Sequence, residues 1–357
     1  MHFSKAPRWT RRHALWLMTG AIAGAGLHAC AQPAASPSGA SSTSSQGTMS
    51  VTFGIAPWIG FTPLHIAIEK GFYKALGLDF NVKVFDTNAQ TFPAFVAGQV
   101  DGFGPTTSEA MLLAAKGVDL KIVMVEDNSL GADVVLARNS IQSIQDFKGE
   151  RIAVEVGGLG HFFLLQILAE AGLKDSDVKL VNTPPDAAAT AFQTGKINIA
   201  YSYSPFSGKA IAAQTDGRVI YSSKQMPTAI VDVFVFSTKF AQANPKAVAA
   251  FVEGTFKGAE FLKTNRKEGV EIAAKQFKIK PEELDQQLQG IRIPDVATNV
   301  AMLGDPSSKE YLLPAMTKLA EFLRAQKQIQ TLPDPSNLLD AQYVRALMQA
   351  KQATTMQ

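Results

Sequence analysis

Cysteine occurs once in the 357 residues, at Cys30, which excludes an intrachain disulfide and leaves no thiol pair for redox or metal chemistry. Histidine is sparse too, with 5 copies. No metal-spaced His/Cys set occurs and no Ser-His-Asp arrangement can be picked out, so neither a catalytic residue nor a metal ligand is expected. The apolar run over residues 14–27 is too short to cross a bilayer comfortably. Basic charge is thin once its location is considered. Lys5, Arg8, Arg11 and Arg12 sit in the first 29 residues, which hold no acid, and without that segment the formal charge falls from +3 to about −1. A nucleic-acid partner is thereby excluded, because a basic face would have to survive in the mature body.

What is present begins with Leu27-His28-Ala29-Cys30 behind Arg11-Arg12 and that apolar run. Residues 1–29 read as an export signal of the lipoprotein type, with Cys30 acylated as the mature N-terminus, which accounts for a lone cysteine in an exported chain. Thr10-Arg11-Arg12 resembles a twin-arginine signal, and paired arginines also occur in ordinary secretory signals, so both routes stay open. His28 is an unusual residue in a lipobox. Residues 31–49 are small and polar, with two prolines and no apolar period, and cannot bury enough surface to fold. With Cys30 they form a tether reaching about 25 Å. The protein is expected on the membrane through Cys30, in the periplasm or at the outer cell surface. The remaining residues, 46% hydrophobic over the whole chain, suffice for one large or two medium domains.

That body reads as two copies of one pattern. Strand 51–56, a helical stretch 63–76, a Gly77-Leu78 break and strand 80–85 lead to Ala94-Phe95-Val96-Ala97-Gly98 and a strand opening at Val100-Asp101. About a hundred residues on, strand 151–156, helix 162–171, Gly172-Leu173 and strand 178–182 lead to Ala191-Phe192-Gln193-Thr194-Gly195-Lys196-Ile197-Asn198. The shared order predicts a duplicated βαβαβ lobe. Residues 132–137 and 231–236, each an apolar strand entered by an aspartate, Asp133 or Asp232, are predicted to cross between lobes as hinge strands. The expected division is lobe 1 over 50–137, lobe 2 over 138–230, and 231–357 returning to lobe 1 with helices that include a terminal one over 338–349.

These landmarks resemble the periplasmic substrate-binding proteins of ABC importers, in particular the nitrate/sulfonate/taurine group. The residues that carry the resemblance are Pro57-Trp58-Ile59-Gly60, Pro63-Leu64 with Ala67, Gly71-Phe72-Tyr73, Gly98-Gln99-Val100-Asp101-Gly102 and Gly195-Lys196-Ile197, spanning residues 51–240. The resemblance implies an α/β bilobal periplasmic-binding-protein fold, a small-molecule solute held between the lobes, no chemistry performed, no cofactor, a permease with its ATPase as partners, and a monomer.

In open α/β sheets ligands sit at the carboxyl ends of strands. The candidate turns are 57–62, 104–109, 157–161 and 201–208, and the candidate ligand-binding residues are Trp58, Gly60, Thr106, Thr107, Ser108, Asp133, Glu155, Gly157, His161, Tyr203 and Asp232. Thr106, Thr107 and Ser108 open a helix with hydroxyls, a pattern that also serves capping. Trp58 offers a flat wall or interlobe packing. Gly157-Gly158-Leu159-Gly160 lacks dinucleotide-loop spacing and reads as a tight turn. His161 fits a helix start, and His65 a structural place in an apolar helix.

Charge is more telling. These turns and strands hold Glu109, Glu126, Asp127, Asp133, Glu155 and Asp232 but no Lys or Arg, so the pocket is expected to favour a cation or amine, held by carboxylates and by stacking on Trp58, Tyr201 or Tyr203. Guanidinium fits that chemistry. Glu126 and Asp127 are the acids expected to be solvated or bonded within the hinge. Tyr203-Ser204-Pro205 stands where relatives often carry an aromatic-acid-proline turn. Nitrate, taurine or an alkanesulfonate stays open as ligand, as do a sensor role and an enzyme of the related pyrimidine-synthase type, in which Glu155 and His161 would be the acid/base pair.

Overall fold

A computed structural model describes residues 49–355. The export signal, acylated Cys30 and tether expected from the sequence fall, as far as residue 48, outside the described residues, and Met49 opens the first strand. Among the described residues no helix is long and apolar enough to cross a membrane.

The described residues form eleven strands in two sheets. They are β1 (Met49–Ile55), β2 (Leu78–Val84), β3 (Gly102–Phe103), β4 (Leu120–Ser129), β5 (Asp133–Ala137), β6 (Arg151–Val154), β7 (Lys179–Asn182), β8 (Ile199–Tyr203), β9 (Arg218–Ser222), β10 (Val231–Ser237) and β11 (Ile291–Arg292). One sheet runs β11-β4-β10-β3-β1-β2 and the other β7-β6-β8-β5-β9. Each contains a parallel triplet, β2-β1-β3 in the first and β7-β6-β8 in the second. Helices join the members of each triplet, because parallel neighbours need a crossover connection. The repeat in the sequence is thus a repeat of topology.

The crossing strands depart from the expected division. β5, expected to end lobe 1, lies inside the second sheet, antiparallel to β8 on one side and β9 on the other. All five of its residues are buried, and an apolar strand covered on both faces needs paired neighbours for its backbone groups. β10 lies at the matching place in the first sheet, antiparallel to β3 and β4. Lobe 1 therefore ends with β4 at Ser129, and residues 130–132 cross over. From Val231 the chain runs in the first sheet as β10, and the last helix is Gln342–Thr355. The first core is rich in aromatics. Phe53, Phe234, Phe236 and Phe251 meet with ring centroids 4.8 to 5.6 Å apart, and Phe251 comes from the amphipathic helix Pro245–Thr264 laid across the sheet.

Candidate functional site

Between the sheets lies a cleft with about 490 Å³ of empty space, its open mouth included. It is built from strand-to-helix turns of both lobes. At the end of β1 the chain passes Ala56 and Trp58 into a short turn, Ile59–Phe61, and then the helix Thr62–Glu69, whose early Pro63 suits a helix start. Trp58 is buried, and its Nε1–H donates to Asp127 Oδ2 at 2.8 Å. Gly60 is required beneath it, since a Cβ there would stand 1.9 Å from that carboxylate oxygen and 2.3 Å from the indole nitrogen.

After β3, Thr106 caps the helix Thr107–Ala115 in a capping box with Glu109. Glu109 Oε2 accepts from the Thr106 backbone N–H at 3.0 Å and from Asn88 Nδ2 at 3.2 Å. Burial nevertheless pushes its carboxyl up to about 7, since these donors do not fully replace water.

The second lobe faces this with Glu155, which follows β6, and with Tyr201 and Tyr203, which share one face of β8 by their spacing of two. Tyr201 donates its hydroxyl to Asp133 Oδ1 at 2.5 Å. Burial still raises Asp133 to about 6. Gly160 lets the Tyr201 ring settle on the helix Leu159–Glu170, because a Cβ would lie 2.1 Å from it. Two contacts join the lobes across the cleft. Thr87, the cap of the helix Asn88–Val96, donates to Glu155 Oε1 at 2.9 Å. Trp58 meets Tyr203 edge-on with centroids 5.7 Å apart.

Of the candidate residues, Trp58, Asp133, Glu155, Tyr203 and Asp232 line the cleft together. The others do not. Gly60 sits behind Trp58. Thr106 and Ser108 are hydroxyl partners 2.8 Å apart within the cap, and Thr107 lines a separate groove. Gly157 supplies a turn at φ +82°. His161 is buried, with Nδ1 accepting from the Gly157 N–H at 3.2 Å and Nε2 3.9 Å from Asp175; burial lowers its proton affinity. Thr87, Asn88 and Pro185 also line the cleft, at the ends of β2 and β7, and the strand-end rule extended to those strands would have found them.

The lining holds four carboxylates, Glu109 and Asp232 from one lobe, Asp133 and Glu155 from the other, and no lysine or arginine. Of the two acids expected to be solvated or bonded within the hinge, neither is solvated; Asp127 is bonded, to Trp58, and Glu126 has no hydrogen-bond partner among the described residues. They are 3% and 0% exposed, directed inward from β4 behind the cleft. Asp127 is the cross-strand partner of Asp232. Both Glu126 oxygens, Asp127 Oδ1, Asp133 Oδ2 and Asp232 Oδ2 are buried without a hydrogen-bond partner. Asp232 and Glu126 are raised well above the usual carboxyl range, by burial first and then by the charge of Asp127 beside each of them. Among the described residues no group of three or more His, Cys, Asp or Glu has metal-holding geometry. The arrangement can receive a compact donor-rich solute between flat rings.

The comparisons agree with this architecture. A candidate binding protein of Brucella abortus (strain 2308) is 30% identical over 243 residues, 65% of this chain and 73% of its own. The taurine-binding periplasmic protein of Escherichia coli (strain K12) is 28% identical over 190 residues, 52% of this chain and 58% of its own. The alkanesulfonate-binding protein SsuA from Xanthomonas axonopodis pv. citri, bound to MOPS, superposes with a TM-score of 0.66 at 19% identity, over 80% of this chain and 97% of its own. The NMT1/THI5-like family matches residues 58–268, more than half the chain and both strand-end turns that carry Trp58 and Tyr203, so the protein belongs to the NMT1/THI5-like family.

Proposed function

We propose that the protein is the solute-binding component of an ABC importer and that it captures a small cationic or amine-bearing solute, guanidinium being the favoured example. The similarity to proteins named for solute binding supports the role. One observation carries the ligand class: carboxylates from both lobes meet across a cleft whose lining offers no lysine or arginine. An anion would meet Asp133 Oδ2 and Asp232 Oδ2, which already lack donors, and would be repelled. A planar cation supplies N–H groups to those same oxygens and a face to Trp58, Tyr201 and Tyr203. The lobes close over the solute by motion at residues 130–132 and at the approach to β10, and the closed form is what a permease with its ATPase receives. Acylation at Cys30 would keep the body near that permease.

A second reading keeps the role and changes the ligand to taurine or an alkanesulfonate, as in the relatives. Taurine's ammonium would suit the carboxylates, but its sulfonate has no cationic side chain in the lining. Isothermal titration of the body from Ser50 onward with guanidinium, methylammonium, urea, nitrate, taurine and ethanesulfonate separates the two. Guanidinium or methylammonium binding that is lost in Asp133→Asn and Asp232→Asn supports the cation reading. Binding of nitrate or a sulfonate alone overturns it.

A further inference from the structure

Among the described residues Glu126 and Asp127 lie outside the cleft lining and pair with no lysine or arginine, yet Asp127 stands opposite Asp232 in the β10–β4 ladder, with Glu126 next to it in sequence. Both oxygens of Glu126 and one of Asp127 have no hydrogen-bond partner, and only the Trp58 indole answers this inner layer. A buried carboxylate without a donor or counter-charge is far less stable than its protonated form. Building upon the cation reading, we propose that the cleft takes up its cationic solute in exchange for protons held by the Glu126–Asp127–Asp232 layer, so that acid expels the solute by occupying its counter-charges.

The groups facing this layer are all of one kind. From the helix Thr107–Ala115 comes Glu109, from β5 Asp133, from the turn after β6 Glu155, from β8 the two tyrosine hydroxyls, and from the helix Pro185–Gln193 Asp186, which adds to the field on Tyr203 and Glu155. Tyr73, on the far side of the first core, feels Glu126 and is hydrogen-bonded to Thr255 at 2.8 Å. The nearest guanidinium on a packed strand, Arg292 of β11, is held by Glu310 at 2.6 Å and by Asn128 at 3.2 Å, and so does not answer the layer. Closure adds the second lobe's acids to the first lobe's. The closed cleft therefore needs either protons or a cation, and the arriving cation makes protons redundant. No bond to carbon changes; a proton leaves a carboxyl group for solvent as the solute's charge takes its place.

The test is titration with guanidinium chloride at pH 5.5, 6.5, 7.5 and 8.5, in paired buffers of low and high ionisation enthalpy. The expected result is an observed heat that changes with buffer, reporting net proton release, and a Kd that rises about tenfold per pH unit on acidification for each proton exchanged. Glu126→Gln releases fewer protons on binding and flattens the pH profile relative to the unaltered protein. Should that variant fail to fold, the buffer dependence of the unaltered protein decides alone. Guanidinium binding with a pH-independent Kd and buffer-independent heat overturns the exchange while leaving the cation reading standing. Binding of taurine or nitrate alone, strengthened by acid, overturns both.

Discussion

The two lobes repeat one topology but treat their buried acids in opposite ways. In the second lobe Asp133 sits beside Tyr203 in the β5–β8 register and receives the Tyr201 hydroxyl at 2.5 Å. In the first, at the corresponding strand, Asp232 faces Asp127 across the β10–β4 ladder, so a carboxyl group meets another carboxyl group. Like charges directly opposite one another destabilise a strand pair. The second lobe thus gives one oxygen of Asp133 an internal donor, whereas in the first Asp232 Oδ2 and both Glu126 oxygens have none among the described residues.

The largest effect that would break this comparison comes from Gly60. Replacing it by alanine forces a methyl group into the space shared by Asp127 and Trp58, removing the one donor the inner layer has. Overpacking and the lost hydrogen bond together are expected to destabilise the protein by about 2–4 kcal/mol and to abolish solute binding; chemical denaturation and titration calorimetry read the two effects. Tyr201→Phe should destabilise by about 1–3 kcal/mol, because Asp133 Oδ1 then loses its donor. Glu126→Gln is the counterpart in the first lobe. Its oxygens have no donors to lose, so at pH 8 the ligand-free variant should be as stable as the parent or more so, and a loss above about 1 kcal/mol in urea unfolding would show that Glu126 is partnered after all.

The pH dependence sharpens the same contrast. Glu109 near 7 and Asp133 near 6 both lie above their ordinary carboxyl values. The folded state therefore binds more protons than the unfolded chain over that interval. Stability from these groups is present in acid and declines as pH rises from about 4.5 to 7, the reverse of a salt-bridged carboxylate. Unfolding of the ligand-free body across that range should show the decline, and saturating guanidinium should reduce it. The smallest effect belongs to the interlobe bond. Thr87→Val removes the donor to Glu155 and the cap of the helix Asn88–Val96; it should weaken solute affinity about threefold to tenfold by favouring the open form and lower the unfolding free energy by about 0.5–2 kcal/mol through the lost cap.

Much of this was legible in the sequence. The repeated strand–helix–glycine order marks both parallel triplets because its periods reflect local backbone geometry. Trp58, Asp133, Glu155, Tyr203 and Asp232 could be picked out because strand-end turns and aspartates entering apolar strands leave a pattern in the residues themselves. The Thr106 to Ser108 hydroxyls were ambiguous, since capping and ligand binding use the same side chains. Thr87 and Asn88 were passed over, because a cap at the end of an edge strand looks like any other helix start.

By itself, then, the sequence determined the duplicated α/β plan and the excess of acid over base around the cleft, both of which follow from local pattern and composition. Only the tertiary structure decided that β5 belongs to the second sheet, that Glu126 and Asp127 are buried behind the cleft, and that His161 lies outside its lining. Those outcomes depend on which strands pair and which faces meet, and pairing between residues a hundred positions apart is settled by packing and backbone hydrogen bonding across the whole fold.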